Sequence, residues 1–557
     1  MRRFWSPRPT RFLASVALAA IVVAGCAPQQ PGQTTTGGQA PGPTQQPAAA
    51  QELRYPIETV RTLDPSLATD NVSIDVITKI FDGLVDLTDD GKIAPQIAEK
   101  WEVSTDATKF TFTLRSNAKW SDGKQITADD FVFAFQRVLD PKTGSEYAKT
   151  IEVIKGGDKA LKGEAPPTSI SAKAVNPTTL EVETREPAAY FLALMSTWTA
   201  MPIRKDLLDK FGDKWINQGN IQTTGPFKLQ EWVPDQRFVL VRNEEYWGQK
   251  PALTKITMRV FPDGPDQEGQ ILRAYEAGEL DVTGKRDVPP SEVDRVMRDP
   301  VLSKEVAIFD QSRTTWVCVN NIKAPFSDVR VRKAMGMSLE RDRLINQVLK
   351  QPLKPAEGVV PPGILGRQPN AWPKENLAEA KSLLAQAGYP DGRGFPEFTY
   401  LYNSSAANKA IAEYLQARWK EALGITMKLE AMDFPVLIPL RRGNKTYDSF
   451  RCSWGSDFED PVNWYNTLFD STADQTQQTT NWKNDRFDQL VRQAASERDP
   501  AKRQQMYEEA DRLMAQDYFT IPVFFGAQRV LVKPYVKNYK VSRIAEGAAL
   551  RQVSIQR

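Results

Sequence analysis

The amino-terminal segment most limits what this chain of 557 residues can fold into. Its apolar run FLASVALAAIVVAG (12–25) follows four arginines, Arg2, Arg3, Arg8 and Arg11. As a helix this run rises about 21 Å, too short for the ~30 Å hydrocarbon core of a membrane. Basic residues before a short apolar run are typical of an export signal. We therefore expect residues 1–25 to be removed and the rest to fold outside the cytoplasm.

The signal ends in Val23-Ala24-Gly25-Cys26, which resembles a bacterial lipobox. Cleavage at a lipobox leaves the cysteine as a lipid-modified amino terminus; the alternative is an ordinary signal with a chance cysteine. We expect lipidation of Cys26, which would anchor the protein to the outer face of the cell membrane or in the periplasmic space. Residues 26–51 are uncharged and rich in Gly, Pro, Gln and Thr, and this composition predicts a linker without a packed core.

Charge and residue usage exclude several classes of function. Removing the signal arginines leaves 68 of the 72 lysines and arginines against 69 acidic residues, with no basic run, so no nucleic-acid partner is expected. Histidine is absent, which removes the commonest general base and metal ligand. Besides Cys26, only Cys318 and Cys452 remain, too few for a thiolate metal site. They either form one disulfide or stay as two free, buried cysteines; both alternatives are open.

The chain lacks sequence motifs of catalysis. Neither G-x-S-x-G nor G-x-G-x-x-G occurs, and GELDVTGKR (278–286) fails as a P-loop because five residues separate its glycines and Arg286 takes the Ser/Thr position. A glycosidase-like pair of acids stays open on composition alone. We expect a binding protein without a cofactor or bound metal, not an enzyme.

Strand and helix patterns alternate along the chain and predict a large α/β protein. KFTFTLR (109–115) has the alternation of a half-buried strand, and residues 227–243 read as a hairpin turning at Pro234-Asp235. Capping signals predict helix starts and stops. They are Thr127 with Asp130, Ser327 at the start of a helix over 327–350, Gly388, Gly424, and Asp499 before Pro500.

Several long segments, in the same order across the mature chain, carry a specific resemblance. They include TLDPSLATD (62–70), the region 81–141 with KWSDGKQITADDFVFAFQRVLDP, TTGPFKLQEWVPDQRFVLVRNEEYW (223–247), NNIKAPFSDVRVRKAM (320–335), residues 401–425, and YDSFRCSWGSDFEDPVNWYNTLF (447–469). This pattern resembles the family 5 extracellular solute-binding proteins of bacterial ABC importers. DPKTGSEYA (140–148) makes the oligopeptide-binding branch the most similar.

The resemblance implies a two-lobed, hinged α/β fold of the periplasmic-binding-protein type, with an extra inserted domain (type II, cluster C-like). Lobe I would comprise 52–75, 202–312 and 528–557, the inserted domain 76–201, and lobe II 313–527. A ligand would lie between the lobes and be enclosed when they close.

The implied function is capture of peptides, oligopeptides foremost, for delivery to the permease and ATPase subunits of an ABC importer by a monomeric protein. A receptor for varied peptides must bind what all peptides share, namely the backbone amides, the α-ammonium and the carboxylate. Three alternatives stay open: a receptor for another amine-bearing solute, a peptide sensor without transport, and, most remotely, a peptide or glycan hydrolase.

The stretch RCSWGSDFED (451–460) carries the implied site. By resemblance, Asp457 binds the ligand's amino terminus; its alternative is a turn or cap carboxylate. Asp460 precedes Pro461 and is the expected N-cap of the next helix. Glu459 is expected as a first-turn charge favourable to the helix dipole.

The neighbours of Asp457 have implied roles too. Ser453, Trp454 and Gly455 would present backbone to the peptide, although Trp454 also suits core packing. Arg451 matches a family arginine near the ligand's carboxyl side, with a structural salt bridge as its alternative.

Three further positions complete the predicted site by resemblance. Phe434 falls where the family often has a pocket-lining tryptophan. Asn408 stands where an enteric relative has a histidine that holds the carboxyl end of short ligands. Tyr147 would line the cleft or pack. A family glutamate near the amino terminus falls on Thr59; either a register change keeps its contact through the adjacent Glu58, or the contact is lost.

Overall fold

The computed structural model describes residues 50–88, 92–262, 264, 266–286, 288–432, 437, 447–472, 480–544 and 550–557. The predicted signal, the lipidation site Cys26, nearly all of the linker and the predicted pocket residue Phe434 lie outside the described residues. Within the described ranges, no helix is both long enough and apolar enough to cross a membrane.

Eighteen strands lie within the described residues. In chain order, β1 to β18 are Glu52–Ile57, Val85–Leu87, Ile93–Pro95, Ala98–Val103, Lys109–Leu114, Ala172–Asn176, Thr179–Glu183, Phe227–Val233, Arg237–Arg242, Lys255–Val260, Val306–Val319, Lys354–Pro355, Phe398–Asn403, Met427–Met432, Ser449–Gly455, Thr520–Leu531, Val536–Lys537 and Ser554–Ile555.

The described α-helices are distributed between these strands. In chain order, α1 to α14 are Asn71–Ile80, Ala128–Val138, Gly157–Leu161, Phe191–Leu194, Lys205–Phe211, Gln267–Glu276, Val293–Arg298, Leu302–Glu305, Val329–Met337, Arg341–Arg343, Leu377–Gln386, Ala406–Leu423, Asp485–Ser496 and Pro500–Asp517. The mixture confirms the predicted α/β class.

The strands form three larger sheets and two small ladders. One four-stranded sheet has the order β1-β10-β9-β8, and a second has the order β4-β5-β7-β6. The six-stranded sheet has the order β12-β16-β11-β15-β13-β14, with β11 and β15 antiparallel at its centre. β2 pairs with β3, and β17 with β18.

Local sequence signals explain most of these elements. In β5, Phe110, Phe112 and Leu114 are buried while the intervening residues are not, as the alternation predicted. Thr127 and Asp130 form the expected capping box of α2. The hairpin of β8 and β9 turns at the predicted place.

The remaining helix ends follow their capping signals, with one exception. α11 and α12 end just before Gly388 and at Gly424, both at positive φ (95° and 70°), and Asp499 caps α14. The single helix predicted over 327–350 is wrong. Asp328, not Ser327, caps α9, which stops at Met337.

A tertiary contact explains why α9 stops early. Glu340 adopts a left-handed conformation (φ 53°), and the Arg341 side chain turns back to donate to the carbonyl of Gly336 at 3.1 Å and to that of Pro522 at 2.7 Å. The bond to Gly336 satisfies a carbonyl that a longer helix would have used internally, and the bond to Pro522 holds the Arg341 side chain in place. A short α10 and a π-helical turn, Leu344–Leu349, replace the predicted continuation.

Buried apolar side chains gather in three clusters among the described residues. The largest joins both four-stranded sheets, the second surrounds the six-stranded sheet, and a small third cluster packs around α6 and α7. β11 and β16 contribute to more than one cluster. Their pairing is interrupted between Asp310 and Thr314, and this interruption separates the part of β11 near the first cluster from the part in the second.

A disulfide crosses the centre of the six-stranded sheet. Cys318 on β11 is bonded to Cys452 on β15, and both side chains are buried. The bond selects one of the two alternatives that the sequence left open.

Candidate ligand-binding site

Over most of its length, strand β15 has one edge that no other described strand pairs with. Along β11 it is paired continuously, from Ser449 opposite Val319 to Gly455 opposite Arg313. On its other side, β13 pairs only with Ser449 and Phe450. Among the described residues, the remaining part of that edge has no strand partner. Unpaired backbone N–H and C=O groups at a strand edge are suited to receive another extended chain.

Asp457 lies just beyond the end of this edge. Its side chain keeps part of its surface exposed, and it makes no ion pair with any described residue. Burial raises the pKa of the Asp457 carboxyl to about 6, while the hydrogen bond from Asn463 and the charge of Arg313 act to lower it. The result is a carboxylate that is charged at neutral pH and lacks a cation in contact.

Asn463 positions this carboxylate, and sequence reasoning missed it. Its Nδ2 donates to Asp457 Oδ2 at 3.3 Å, while its Oδ1 accepts from the Asp457 backbone N–H at 3.1 Å and from Trp454 Nε1 at 3.2 Å. Asn463 is 2% exposed, so these bonds form away from water. The sequence signal that could have identified Asn463 is the cap at Asp460. A helical turn that starts there brings residue 463 back beneath the loop that carries Asp457.

The other two acids of the stretch have separate structural roles. Asp460 accepts from the backbone N–H of Val462 at 2.9 Å, which confirms the predicted cap, and it also pairs with Arg503 at 2.7 Å. Glu459 precedes the cap and therefore lies outside the first turn, so its predicted helix-dipole role is wrong. Its carboxylate lies 3.6 Å from Arg543, in the carboxy-terminal segment.

Ser453 and Trp454 combine packing with an exposed backbone edge. Ser453 Oγ accepts a hydrogen bond from Thr315 Oγ1 at 3.3 Å, across the β11–β15 pair. Trp454 is partly buried and packs against the second apolar cluster. Because the side chains are held in this way, the backbone from Arg451 to Gly455 is fixed in the extended conformation that a strand-like ligand requires.

Two arginines lie on one face of this pair of strands. Arg313 is directly opposite Gly455, and Arg451 lies four residues before Gly455 on β15. Residues an even number of positions apart in a strand share a face, as do residues directly opposite each other, so both arginines lie on the same face. Burial lowers the pKa of both guanidinium groups. The structural salt bridge that the sequence allowed for Arg451 is not found among the described residues. Arg313 was missed, because only the strand register brings it to the site.

The other two described residues of the predicted site make local contacts. Asn408 is buried in the first turn of α12, where its Nδ2 donates to the Asn403 carbonyl at 3.0 Å. Tyr147 packs edge-to-face on Trp198 at 5.0 Å between ring centroids, against the first apolar cluster.

Near the amino terminus, the structure separates Glu58 from Thr59. Glu58 is buried and forms an ion pair with Arg286. Thr59 is exposed and donates to Asp235 at 2.9 Å. The described contacts of Glu58 are therefore internal.

Comparison with known proteins places this chain in a family. Residues 92–476 match the family model described as bacterial extracellular solute-binding proteins, family 5 Middle. The periplasmic oligopeptide-binding protein OppA of Salmonella typhimurium strain LT2 is 34% identical over 489 residues, which cover 86% of this chain and 88% of OppA.

Solved structures agree with this assignment. The murein tripeptide-binding protein MppA of Escherichia coli matches with a TM-score of 0.75 and 29% identity over 92% of this chain and 99% of MppA. A periplasmic oligopeptide-binding protein of an ABC transporter, OppAIV from Borrelia burgdorferi, matches with a TM-score of 0.74 and 28% identity over 90% of this chain and 99% of that protein.

These matches confirm the two-lobed α/β fold expected from the sequence. The family and the matched proteins are substrate-binding proteins. This chain therefore belongs to the family 5 bacterial extracellular solute-binding proteins, and it is similar along most of its length to their oligopeptide-binding members.

Proposed function

We propose that this protein is the peptide receptor of an ABC importer, with oligopeptides as its main ligands. The observation that carries the proposal is the edge of β15 that no described strand pairs with, followed by Asp457, an acid that no described cation contacts. An extended peptide paired with this edge would bring its α-ammonium to that acid. Both interactions use groups common to all peptides, which suits a receptor for varied sequences.

Each residue of the edge has a separate proposed task. Asp457 pairs with the ligand's ammonium group, and Asn463 holds Asp457 in place. The backbone of Ser453, Trp454 and Gly455 exchanges hydrogen bonds with the ligand's backbone. Arg451 lies at the far end of the edge and receives the ligand's carboxyl side. Asn408 and Tyr147 make local contacts and are assigned no separate task in this proposal.

The proposal includes where the protein works. Export followed by lipidation at Cys26 would hold the receptor at the outer face of the membrane, and residues 26–51 would serve as its tether. We further propose the division into lobe I (52–75, 202–312 and 528–557), the inserted domain (76–201) and lobe II (313–527). The strands shared between apolar clusters, β11 and β16, support a hinge at the interrupted pairing near Asp310.

Peptide affinity should depend on pH through Asp457. The pKa of this carboxyl is about 6 in the free protein, and a bound ammonium would lower it further because it favours the charged form. Peptides should therefore bind with full affinity above about pH 6. Below that pH, the affinity should fall by about tenfold for each pH unit. Isothermal titration with tetra-alanine between pH 7 and pH 5 measures this slope, and the ligand's own carboxylate, with a pKa of about 3.5, stays charged throughout.

N-acetylated tetra-alanine is the matched control for this titration. It lacks the ammonium, so its weaker binding should vary little over the same range of pH. An affinity for the free-amine peptide that is constant between pH 7 and pH 5 would remove Asp457 from the proposed role.

A further inference from the structure

Arg313 and Arg451, which are half-buried, differ from the buried arginines in the part of the chain that surrounds the six-stranded sheet. Arg332 donates to three backbone carbonyls, those of Tyr518, Phe326 and Asp517. Arg341 bonds the carbonyls of Gly336 and Pro522 and pairs with Glu375 at 2.7 Å. Desolvated guanidinium groups of this kind are stable because their donors are used.

Arg313 and Arg451, in contrast, keep their donors unused. Among the described residues, neither makes a hydrogen bond or an ion pair, and the Nε of Arg451 is fully buried without an acceptor. The buried Nε of Arg451 costs stability because it has no acceptor, whereas the half-buried guanidinium of Arg313 keeps its donors available to an incoming acceptor.

The structure holds the Arg313 guanidinium over the backbone of the free edge. A methyl group added to Gly455 would lie 2.8 Å from Arg313 Nη2, and one added to Gly526 would lie 3.0 Å from Arg313 Cβ. Two glycines therefore make the space that Arg313 occupies. The interruption of the β11–β16 pairing lies at the same place, between Asp310 and Thr314. Arg313 is thus fixed opposite Gly455, which lies two residues before the proposed ammonium site at Asp457.

The balance of charge on this face points to the missing partner. Asp457 is the acidic group whose field reaches Arg313, and Arg451 adds a second positive charge. Two guanidinium groups and one carboxylate leave an excess of one positive charge. A ligand's ammonium would increase this excess to two. A peptide that brings both its terminal carboxylate and one acidic group would neutralise it.

We propose that Arg313 makes this receptor selective for peptides carrying a carboxylate next to their amino terminus, such as a Glu or Asp side chain at the first or second residue. This inference rests on the proposed function and adds a preferred ligand class to it. The planar fork of an arginine binds a carboxylate through two parallel hydrogen bonds, and the position over Gly455 matches the first residues of a peptide that starts at Asp457. In a dipeptide, the terminal carboxylate would reach the same guanidinium.

The test compares matched peptides on the whole mature protein by isothermal titration. Alanine tetrapeptides with Glu at the first or second position are compared with their Gln counterparts, all with amidated carboxyl ends. The Glu peptide should bind about tenfold or more tightly than its Gln counterpart, because hydrogen bonds to charged groups are strong. Dialanine and its amide form a separate arm, which shows whether a terminal carboxylate is also recognised.

Variants assign the preference to Arg313. Arg313→Gln should abolish it, and Arg313→Lys should keep part of it because the charge is retained without the fork. Arg330→Gln removes an exposed arginine paired with Asp328 and should leave the preference unchanged. The wild-type comparison and the lysine variant remain decisive if the glutamine variant does not fold.

The outcomes distinguish a failure of this inference from a failure of the proposed function on which it rests. Equal affinity for Glu and Gln peptides, or a preference that survives in Arg313→Gln, would overturn the role of Arg313 while leaving a peptide receptor. Failure of the wild-type protein to bind any of these peptides would overturn the proposed function, and this inference with it.

Discussion

Replacing Asp457 by asparagine is expected to weaken the binding of free-amine peptides by about 2–5 kcal/mol, the range for a buried charge pair that loses one partner. The substitution keeps the shape of the side chain and the hydrogen bond from Asn463, but it removes the charge. The ligand's ammonium would then be enclosed beside Arg313 without its compensating anion. Isothermal titration at pH 7, with one peptide in free and N-acetylated forms, measures the loss.

The acetylated peptide and a neighbouring acid provide the controls. Binding of the acetylated form should change far less in Asp457→Asn, because it has no ammonium to lose. Glu459→Gln removes an acid only two residues away, one that lies beside Arg543, and should leave both peptides nearly unaffected. Equal losses for the free and acetylated peptides would reduce Asp457 to a structural residue.

Removing the Cys318–Cys452 disulfide is expected to lower the free energy of unfolding by about 4–5 kcal/mol in the chain-entropy description of a cross-link. The bond closes a loop with a sequence separation of 134 residues, so it restricts a large part of the unfolded chain. It also joins β11 to β15 behind the free edge. Urea unfolding of the oxidised protein and of a Cys318→Ala, Cys452→Ala variant gives the difference.

Reduction provides a control that needs no substitution. With a reductant in the denaturing buffer, wild-type protein should unfold at the same urea concentration as the double variant. Equal unfolding of the oxidised wild type and the variant would show that the bond does not limit the unfolded chain as described.

Local chemistry explains which parts of the site could be predicted from the sequence. Asp460 was assigned correctly because Pro461 follows it and a cap depends on adjacent residues. The role of Asp457 is implied by family resemblance alone. Asn463 and Arg313 were missed because their contacts depend on a loop returning to the strand end and on the register of β11 against β15.

The same division applies to the fold. Strand β5 and the ends of α11 and α12 followed from alternation and from glycines at positive φ. The break after α9 did not, because Arg341 terminates it through the distant carbonyl of Pro522. Contacts between residues far apart in sequence override the local helix preference of 327–350.

Native mass spectrometry of the mature protein, purified from its expression host without denaturation, tests the central claim most directly. A peptide receptor that encloses its ligand should carry bound mass that dissociates into peptides of several residues with free amino termini. Recovery of a sugar or a metal chelate in their place, with no peptide, would contradict the account.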